Sequence, residues 1–250
     1  TEIYTLSLHD ALPIYFNKGY EAEEIPTLEA SIDIQITSGE ILPAETSSVA
    51  IKYLRKRGVS LATAAAMQMG YMGKGAINYT VFENRLTIPI CEAGKLISVE
   101  GRDVSGHQER KVLYPKNSTV STLYDLDKLN KQQPIYVVEG LMDLAVLRSD
   151  SYFSNSTALF GASISRRQLY LLNQFENVVI IPDADDAGRR SLGRLKEGLT
   201  KPFKILEVPK LQGVKDVGDI PQKLHTTVEN MRKRGWGRPP LKLSTSLIFY

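Results

Sequence analysis

Residues 135–149 read IYVVEGLMDLAVLRS, an apolar run of strand length followed by a helical pattern. Two similar units follow, TALFGASISRRQLYLLNQF from residue 157 and NVVIIPDADDAGRRSLGRLKEGL from residue 177. KILEVP at residues 204–209 adds a fourth strand. Short apolar strands that alternate with helices predict a mostly parallel sheet that is covered on both faces. The fold class expected for this region is therefore α/β, with a mostly parallel sheet flanked by helices.

The region before residue 132 has a different pattern. RLTIPI from residue 85, KLISVEGRDV from residue 95 and KVLYP from residue 111 predict an antiparallel meander, with a turn at residues 92–94. Two short helices are predicted before it, one capped by Ser47 or Ser48 and one capped by Ser60. Gly58 is expected to end the first helix and Gly70 the second. We therefore predict a smaller α+β subdomain over residues 49–131.

The remaining segments are separated by composition. Residues 1–14 read TEIYTLSLHDALPI, which resembles the translation of a common sequencing adapter, so we exclude them and expect the chain to be part of a longer protein. Residues 15–48 are acidic and interrupted by proline and glycine, which predicts a linker. The α/β region is expected over residues 132–221, followed by a basic tail over residues 222–250 that we expect to be truncated.

Charge and cysteine content exclude several classes of protein. The net charge of +3 is compatible with nucleic-acid binding but does not by itself indicate it. A single cysteine, Cys91, excludes an internal disulfide framework and a cysteine-rich zinc site within the chain. No apolar run approaches the length of a membrane span, and no cleavable signal is apparent. The expected location is the reducing cytoplasm, with no membrane partner.

Acidic residues follow three of the predicted parallel strands. Functional groups collect at the carboxyl ends of such strands, so these side chains are expected to surround a common point. Asp183 and Asp185 would point the same way if their strand persists. Mutual repulsion among the carboxylates predicts a bound hard cation, for which Mg²⁺ is suited, and two ions would suit phosphoryl chemistry. The candidate metal ligands are Glu139, Asp143, Asp183, Asp185, Asp216 and Asp219.

Two other interpretations of the DADDAG segment fail on single residues. Haloacid-dehalogenase-type phosphotransferases need a threonine where Ala187 stands. A calcium loop needs a bidentate glutamate at its twelfth position, which Arg194 occupies.

Four segments taken in order, VEGLMD, FGAS, IIPDADDAG and KDVGD, resemble the Toprim domain shared by DnaG-type primases, topoisomerases and related nucleases. The resemblance covers about residues 134–221. It implies that Glu139 is the acid/base or metal-contacting glutamate and that Asp183, Asp185 and Asp216 form the metal cluster, with Glu139, Asp183 and Asp185 as the catalytic set. One departure is GVKDVGD, which replaces the proline-containing DPD form of many cellular primases and is more phage-like.

The upstream segments YLRKRGVSLATAAAMQMGY, ENRLTIPI, EAGKLISVEGRDV and KVLYPKNS resemble the N-terminal half of the primase RNA-polymerase domain. In that family a basic subdomain faces the metal site, and Arg85, Arg102 and Lys111 match its basic residues. Lys215, beside Asp216, is a further candidate phosphate ligand. From the residues alone, a solvated strand face is the more frequent explanation of such charges. The resemblance reverses that preference for Arg102 and Lys111, and more weakly for Arg85.

The resemblance implies Mg²⁺-dependent synthesis of short RNA primers, with Mn²⁺ as an alternative ion. The implied partners are a single-stranded DNA template, NTPs and a replicative helicase. Primases of this family usually carry an N-terminal zinc module, and we expect no structural zinc within this chain because Cys91 is alone. One alternative is a Toprim nuclease, which would nick DNA without incorporating NTPs. Another is a non-catalytic single-stranded-DNA module, whose binding would persist without magnesium.

Overall fold

A five-stranded antiparallel sheet and a four-stranded parallel sheet make up the described part of the chain. The structure is a computed structural model, and it describes residues 41–74, 82–116, 118, 120–161 and 163–205. The predicted adapter segment over residues 1–14 and the predicted tail over residues 222–250 lie outside these ranges. Across the described ranges, no helix has the length and apolar character that a bilayer crossing requires.

The antiparallel sheet runs in simple sequence order, with each strand paired to the next. The turn between its two long strands has Ala93 and Gly94 at positive φ, as its short connection requires. The predicted meander is therefore confirmed. Its strands are β1 (Ile41–Pro43), β2 (Gly70–Met72), β3 (Arg85–Glu92), β4 (Lys95–Asp103) and β5 (Val112–Leu113).

Two short helices connect β1 to β2. Helix α1 spans Ser48–Lys56, and the Ser47 hydroxyl accepts a hydrogen bond from the Ala50 N–H at 3.3 Å. Helix α2 spans Leu61–Ala66, and its predicted cap Ser60 accepts from the Thr63 N–H at 3.0 Å. Both helices and both cap sites were predicted from the sequence.

The described end of the predicted linker over residues 15–48 contains a short strand. Ile41–Pro43 forms β1 and pairs with β2, with Ile41 opposite Met72. Helix α2 also ends four residues before Gly70, and Gln68 adopts a positive φ of 52°. The pairing of β1 with β2 joins segments about thirty residues apart, so the sequence near Ile41 carries no local signal for it.

The parallel sheet has the strand order β7-β6-β8-β9, and every neighbouring pair is parallel. Its strands are β6 (Ile135–Val138), β7 (Ser156–Ala158), β8 (Val178–Ile180) and β9 (Phe203–Ile205). The connecting helices are α3 (Leu141–Arg148), α4 (Arg166–Leu172) and α5 (Asp186–Gly198). The predicted alternation of strands and helices is confirmed.

Strand β6 contributes to both hydrophobic cores. Ile135 and Val137 belong to the apolar cluster that contains residues of α4 and α5. Tyr136 and Val138 belong to a second cluster, which contains α3 and the apolar residues of β3. A continuous apolar run is the sequence that a strand buried on both faces needs. The same strand therefore joins the two sheets through a shared core and ends at Glu139.

Gln168 is a buried polar anchor beneath the parallel sheet, with 1% of its surface exposed. Its Nε2 donates to the Thr122 and Leu159 carbonyls at 3.0 Å each, and its Oε1 accepts from the Ser165 N–H at 2.9 Å. It thereby caps α4 and ties that helix to the backbone on either side of the sheet.

Replacing Gln168 by leucine should lower the free energy of unfolding by about 2–4 kcal/mol, because buried backbone groups lose their partners. Urea unfolding followed by circular dichroism measures this. Gln174→Leu is the matched control, since the Gln174 side chain accepts from the Nζ of Lys131 in an exposed pair. Equal losses in both variants would contradict the role given to Gln168.

Candidate active site

Glu139 lies directly after β6, with 7% of its surface exposed. The Asp183 backbone N–H donates a hydrogen bond to its carboxylate. Within the described residues its Oε1 is buried and has no hydrogen-bond partner. Burial raises the pKa of Glu139, the Asp183 N–H opposes that shift, and the charge of Asp185 adds to it. A buried, half-satisfied carboxylate of this kind is suited to bind a cation or to exchange a proton.

Asp143 lies in the first turn of α3, as predicted, and is 8% exposed. The helix is preceded by Gly140, where an added Cβ would lie 2.7 Å from the Asp143 Oδ2. A glycine is therefore needed for the carboxylate to fold back over the start of the helix. The positive end of the helix dipole favours a negative charge there.

Asp183 and Asp185 do not lie on a persisting strand, because β8 ends at Ile180. Asp185 is the N-cap of α5, and its Oδ1 accepts from the Gly188 N–H at 2.9 Å. An added Cβ at Gly188 would lie 2.2 Å from the Asp183 carbonyl oxygen, so this helix start packs tightly on the Asp183 backbone. The condition of the expectation, a strand that persists through both residues, is therefore not met, and Asp185 serves instead as a helix cap.

The structure brings part of the predicted acidic set together. Glu139 contacts the Asp183 backbone and lies within the electrostatic influence of Asp185. In the described part of the chain, no three His, Cys, Asp or Glu side chains are arranged to hold a metal ion. Asp216, Asp219 and Lys215 lie outside the described residues. The donor chemistry fits a hard cation, because carboxylate oxygens are its preferred ligands and the Glu139 Oε1 is unpartnered.

Arg102 lies on β4, and its Nε donates to the Tyr53 hydroxyl at 3.3 Å. Burial lowers its pKa, but Tyr53, Glu100 and Asp143 raise it by more, so the pKa of Arg102 is above its ordinary value. The effect of Asp143 is informative because that residue belongs to the parallel-sheet region. The Arg102 guanidinium of the antiparallel sheet therefore lies within the electrostatic reach of Asp143. Asp143 belongs to the carboxylates at the carboxyl ends of the parallel strands, which we call the acidic edge.

Lys111 and Arg85 have different positions, although both were predicted to contact phosphate. Lys111 is exposed, and its backbone carbonyl accepts from the Asp103 N–H at 2.8 Å. Arg85 is 2% exposed. Its guanidinium donates to the Gly101 and Lys111 carbonyls and to the Gln108 Oε1, at 2.6–3.4 Å. The guanidinium of Arg85 is therefore not exposed for the predicted phosphate contact. Its hydrogen bonds instead hold the loop that leads to Lys111.

Two residues of this region, Tyr53 and Glu100, were missed from the sequence. Glu100 is 3% exposed and lies two residues before Arg102 on β4. The spacing of two residues between Glu100 and Arg102 could have predicted that both lie on one face, because alternate residues of a strand share a face. Tyr53 had no comparable signal, since its contact with Arg102 joins residues 49 positions apart.

A family model described as Toprim-like matches residues 136–220. The chain is similar to this family over these residues, and we call their described part, residues 136–161 and 163–205, the Toprim-like domain. The match begins within β6 and includes Glu139, Asp143, Asp183 and Asp185. It covers the parallel sheet and its helices and leaves the antiparallel sheet outside.

Other comparisons extend beyond the Toprim-like domain. A DNA primase of Legionella pneumophila is 28% identical over 185 residues, which cover 60% of this chain and 32% of that protein. A crystal structure of a DNA primase domain from Pseudomonas aeruginosa superposes with a TM-score of 0.63 at 21% identity, covering 77% of this chain and 75% of that one. A DnaG primase catalytic domain bound to single-stranded DNA superposes with a TM-score of 0.59 at 21% identity, covering 78% and 74%.

The fold of the described chain is that of a DNA primase catalytic core, with the Toprim-like domain preceded by the antiparallel sheet. The chain spans about a third of the length of the curated relatives that it matches.

Two substitutions of Asp185 distinguish its role as the cap of α5 from its role as a charged carboxylate. Asp185→Ala should lower the free energy of unfolding by about 1 kcal/mol, whereas Asp185→Asn should leave it nearly unchanged, because asparagine caps as well as aspartate. Thermal unfolding measures both. Asp186→Ala is the control, since that side chain is exposed and pairs with Arg189 on the next turn. Equal effects of alanine and asparagine at residue 185 would contradict the cap.

Glu139→Gln should stabilise the metal-free chain at neutral pH. The folded-state pKa of Glu139 is raised, so its favourable contribution is complete below the unfolded pKa and is lost as the pH rises through the folded value. The variant should therefore exceed the parent in stability at pH 8 and match it below pH about 4. Urea unfolding in EDTA at several pH values measures the difference. A variant that is less stable than the parent at pH 8 would contradict the assigned burial.

Proposed function

We propose that the chain is the catalytic core of a DNA primase, which synthesises short RNA primers on single-stranded DNA by template-directed polymerisation of NTPs. The observation that carries the proposal is the position of Arg102. This residue belongs to the antiparallel sheet, yet it lies close enough to Asp143 of the Toprim-like domain for that carboxylate to raise its pKa. A cation of the antiparallel sheet and a carboxylate of the first βα unit of the Toprim-like domain thus lie within electrostatic reach of each other.

Electrostatics explain why a polymerase needs both halves. Carboxylates at the edge of the parallel sheet repel a nucleotide triphosphate unless cations accompany it. Arginine binds phosphate oxygens through several donors in a fixed plane, so Arg102 is suited to hold a phosphate there. We assign the same task to Lys111, which is exposed directly before β5, and to Lys215. A Toprim nuclease has no need of the antiparallel sheet that carries Arg102.

Toprim-type primases typically use a divalent metal ion. We propose Mg²⁺, with Mn²⁺ as the alternative, held by Glu139, Asp183, Asp185 and Asp216. Such an ion neutralises charge on the triphosphate and activates the primer 3′-hydroxyl. Glu139 contributes an unpartnered buried oxygen to this set, and burial raises its pKa, a shift that a bound cation would oppose. Asp143 and Asp219 are further candidate ligands.

The partners that we propose are a single-stranded DNA template, NTPs and a replicative helicase, and we propose a cytoplasmic location. Support for the template comes from the fold shared with a primase domain that was solved with single-stranded DNA. The helicase and the location rest on the resemblance to DnaG-type primases.

The test is RNA extension by the 250-residue chain on single-stranded DNA that carries a pre-annealed RNA primer, with NTPs and MgCl₂. The annealed primer removes any dependence on start-site recognition. We expect extension by the parent chain and a loss of at least about a hundredfold in the charge-removing double variant Asp183→Asn/Asp185→Asn. Because asparagine retains the α5 cap, this loss reports the charge and not the fold.

Asp186→Asn is the matched control and should retain activity, because Asp186 is exposed and pairs with Arg189. Full activity in the double variant would contradict the site. Nicking of DNA without incorporation of NTPs would identify a nuclease. Binding to DNA that persists in EDTA, without turnover, would identify a non-catalytic module.

A further inference from the structure

Glu100 is a buried carboxylate that lies two residues before Arg102 on β4. Glu100 is 3% exposed, and its Oε2 accepts a hydrogen bond from the Tyr114 hydroxyl at 2.8 Å. Within the described residues its Oε1 has no hydrogen-bond partner. Burial raises the pKa of Glu100, while the Tyr114 hydrogen bond and the charge of Arg102 oppose that shift.

Glu100 and Arg102 share one face of β4. In the pairing with β3, Glu100 lies opposite Ile88 and Arg102 lies opposite Leu86. Ile88 and Leu86 belong to the apolar cluster that also contains Val138 of the Toprim-like domain. Both charged side chains therefore lie on the face of β4 whose neighbours on β3 belong to this cluster.

Arg102 is held by one hydrogen bond and by the charges of two carboxylates. Its Nε donates to the Tyr53 hydroxyl, so α1 fixes one edge of the guanidinium. The charges of Glu100 and Asp143 both act on Arg102, one from the same strand and one from the Toprim-like domain. Tyr114, which fixes Glu100, follows β5, the strand that Lys111 precedes. Glu100 and Tyr114 thus lie close in sequence to Arg102 and Lys111, two of the three cations that we assign to phosphate binding.

The stability of the fold does not explain Glu100. Burying a carboxylate is costly, and an apolar residue of similar volume is often neutral or better at such a position. The charge of Glu100 has a use if the Arg102 side chain must keep one orientation. A nearby carboxylate restricts the rotamers of a flexible arginine and leaves the exposed donors of the guanidinium uncovered.

We propose that Glu100 is a positioning residue that acts through Arg102, and that, with Tyr114 and Tyr53, it holds the guanidinium toward a phosphate at the acidic edge. This inference rests on the phosphate-binding role that the proposed function gives to Arg102. Glu100 itself touches no substrate.

The test is a thermodynamic cycle on the 250-residue chain, with inorganic triphosphate in MgCl₂ as the probe and isothermal titration calorimetry as the measurement. Glu100→Gln keeps the side-chain shape and an acceptor for Tyr114 but removes the charge. We expect it to weaken triphosphate binding by about three- to tenfold, as for the loosening of one charged side chain. In the Arg102→Ala background the same substitution should have no effect.

Glu92→Gln is the matched control. Glu92 is also partly buried and pairs with an arginine, Arg167, but it lies at the opposite end of the β3–β4 hairpin from Arg102. The Glu92→Gln substitution should leave triphosphate affinity unchanged. Glu100→Gln should fold, because it removes a buried carboxylate whose pKa is raised. Tyr114→Phe is a second route, since it releases the Glu100 carboxylate and should reproduce the loss of affinity.

If Glu100→Gln weakens triphosphate binding equally in the parent chain and in the Arg102→Ala background, the inference is overturned, because the substitution would then act through a general structural effect. Triphosphate affinity that does not depend on Arg102 would also overturn it. If binding follows the predicted cycle but the chain extends no RNA primer, the proposed function fails and the positioning role stands.

Discussion

Burial of β6 on both faces is the constraint on which the described structure depends. Its four residues, Ile135–Val138, are all buried and alternate between two apolar clusters. One cluster includes α4 and α5, and the other includes α3 and the antiparallel sheet. The sheets are therefore fixed to each other through the strand that ends at Glu139. A shift of one residue along β6 would exchange the two faces and move Glu139 away from the Asp183 backbone.

The charges are arranged around that strand end. Glu139 and Asp143 belong to the first βα unit, Asp183 and Asp185 to the third, and Arg102 comes from the other sheet. Each is held by backbone geometry that its neighbours dictate, such as the glycines at residues 140 and 188. Opposite charges in a partly buried region attract strongly and raise or lower each other's pKa. We therefore expect the residues that shape the site also to respond to the charge of a bound ligand.

Periodicity was sufficient to predict both sheets, because short apolar strands and capped helices have local signals, as at Ser47, Ser60 and residues 135–149. It failed where distant segments meet. The pairing of Ile41 with Met72, the contact of Tyr53 with Arg102 and the burial of Arg85 all depend on tertiary packing. Glu139, Asp143, Asp183 and Asp185 lie after the strands predicted to precede them, but the role of Asp185 as a helix cap depends on where β8 ends.

The central claim is that the acidic edge of the Toprim-like domain and Arg102 form one site. The most direct measurement is a crystal structure of the chain soaked with Mn²⁺ and an NTP, with the ion located by its anomalous scattering. The account predicts an ion bound by the carboxylates of Glu139 and Asp183, with the triphosphate extending from it to Arg102. An ion bound elsewhere, or a triphosphate that lies beyond the reach of Arg102, would contradict it.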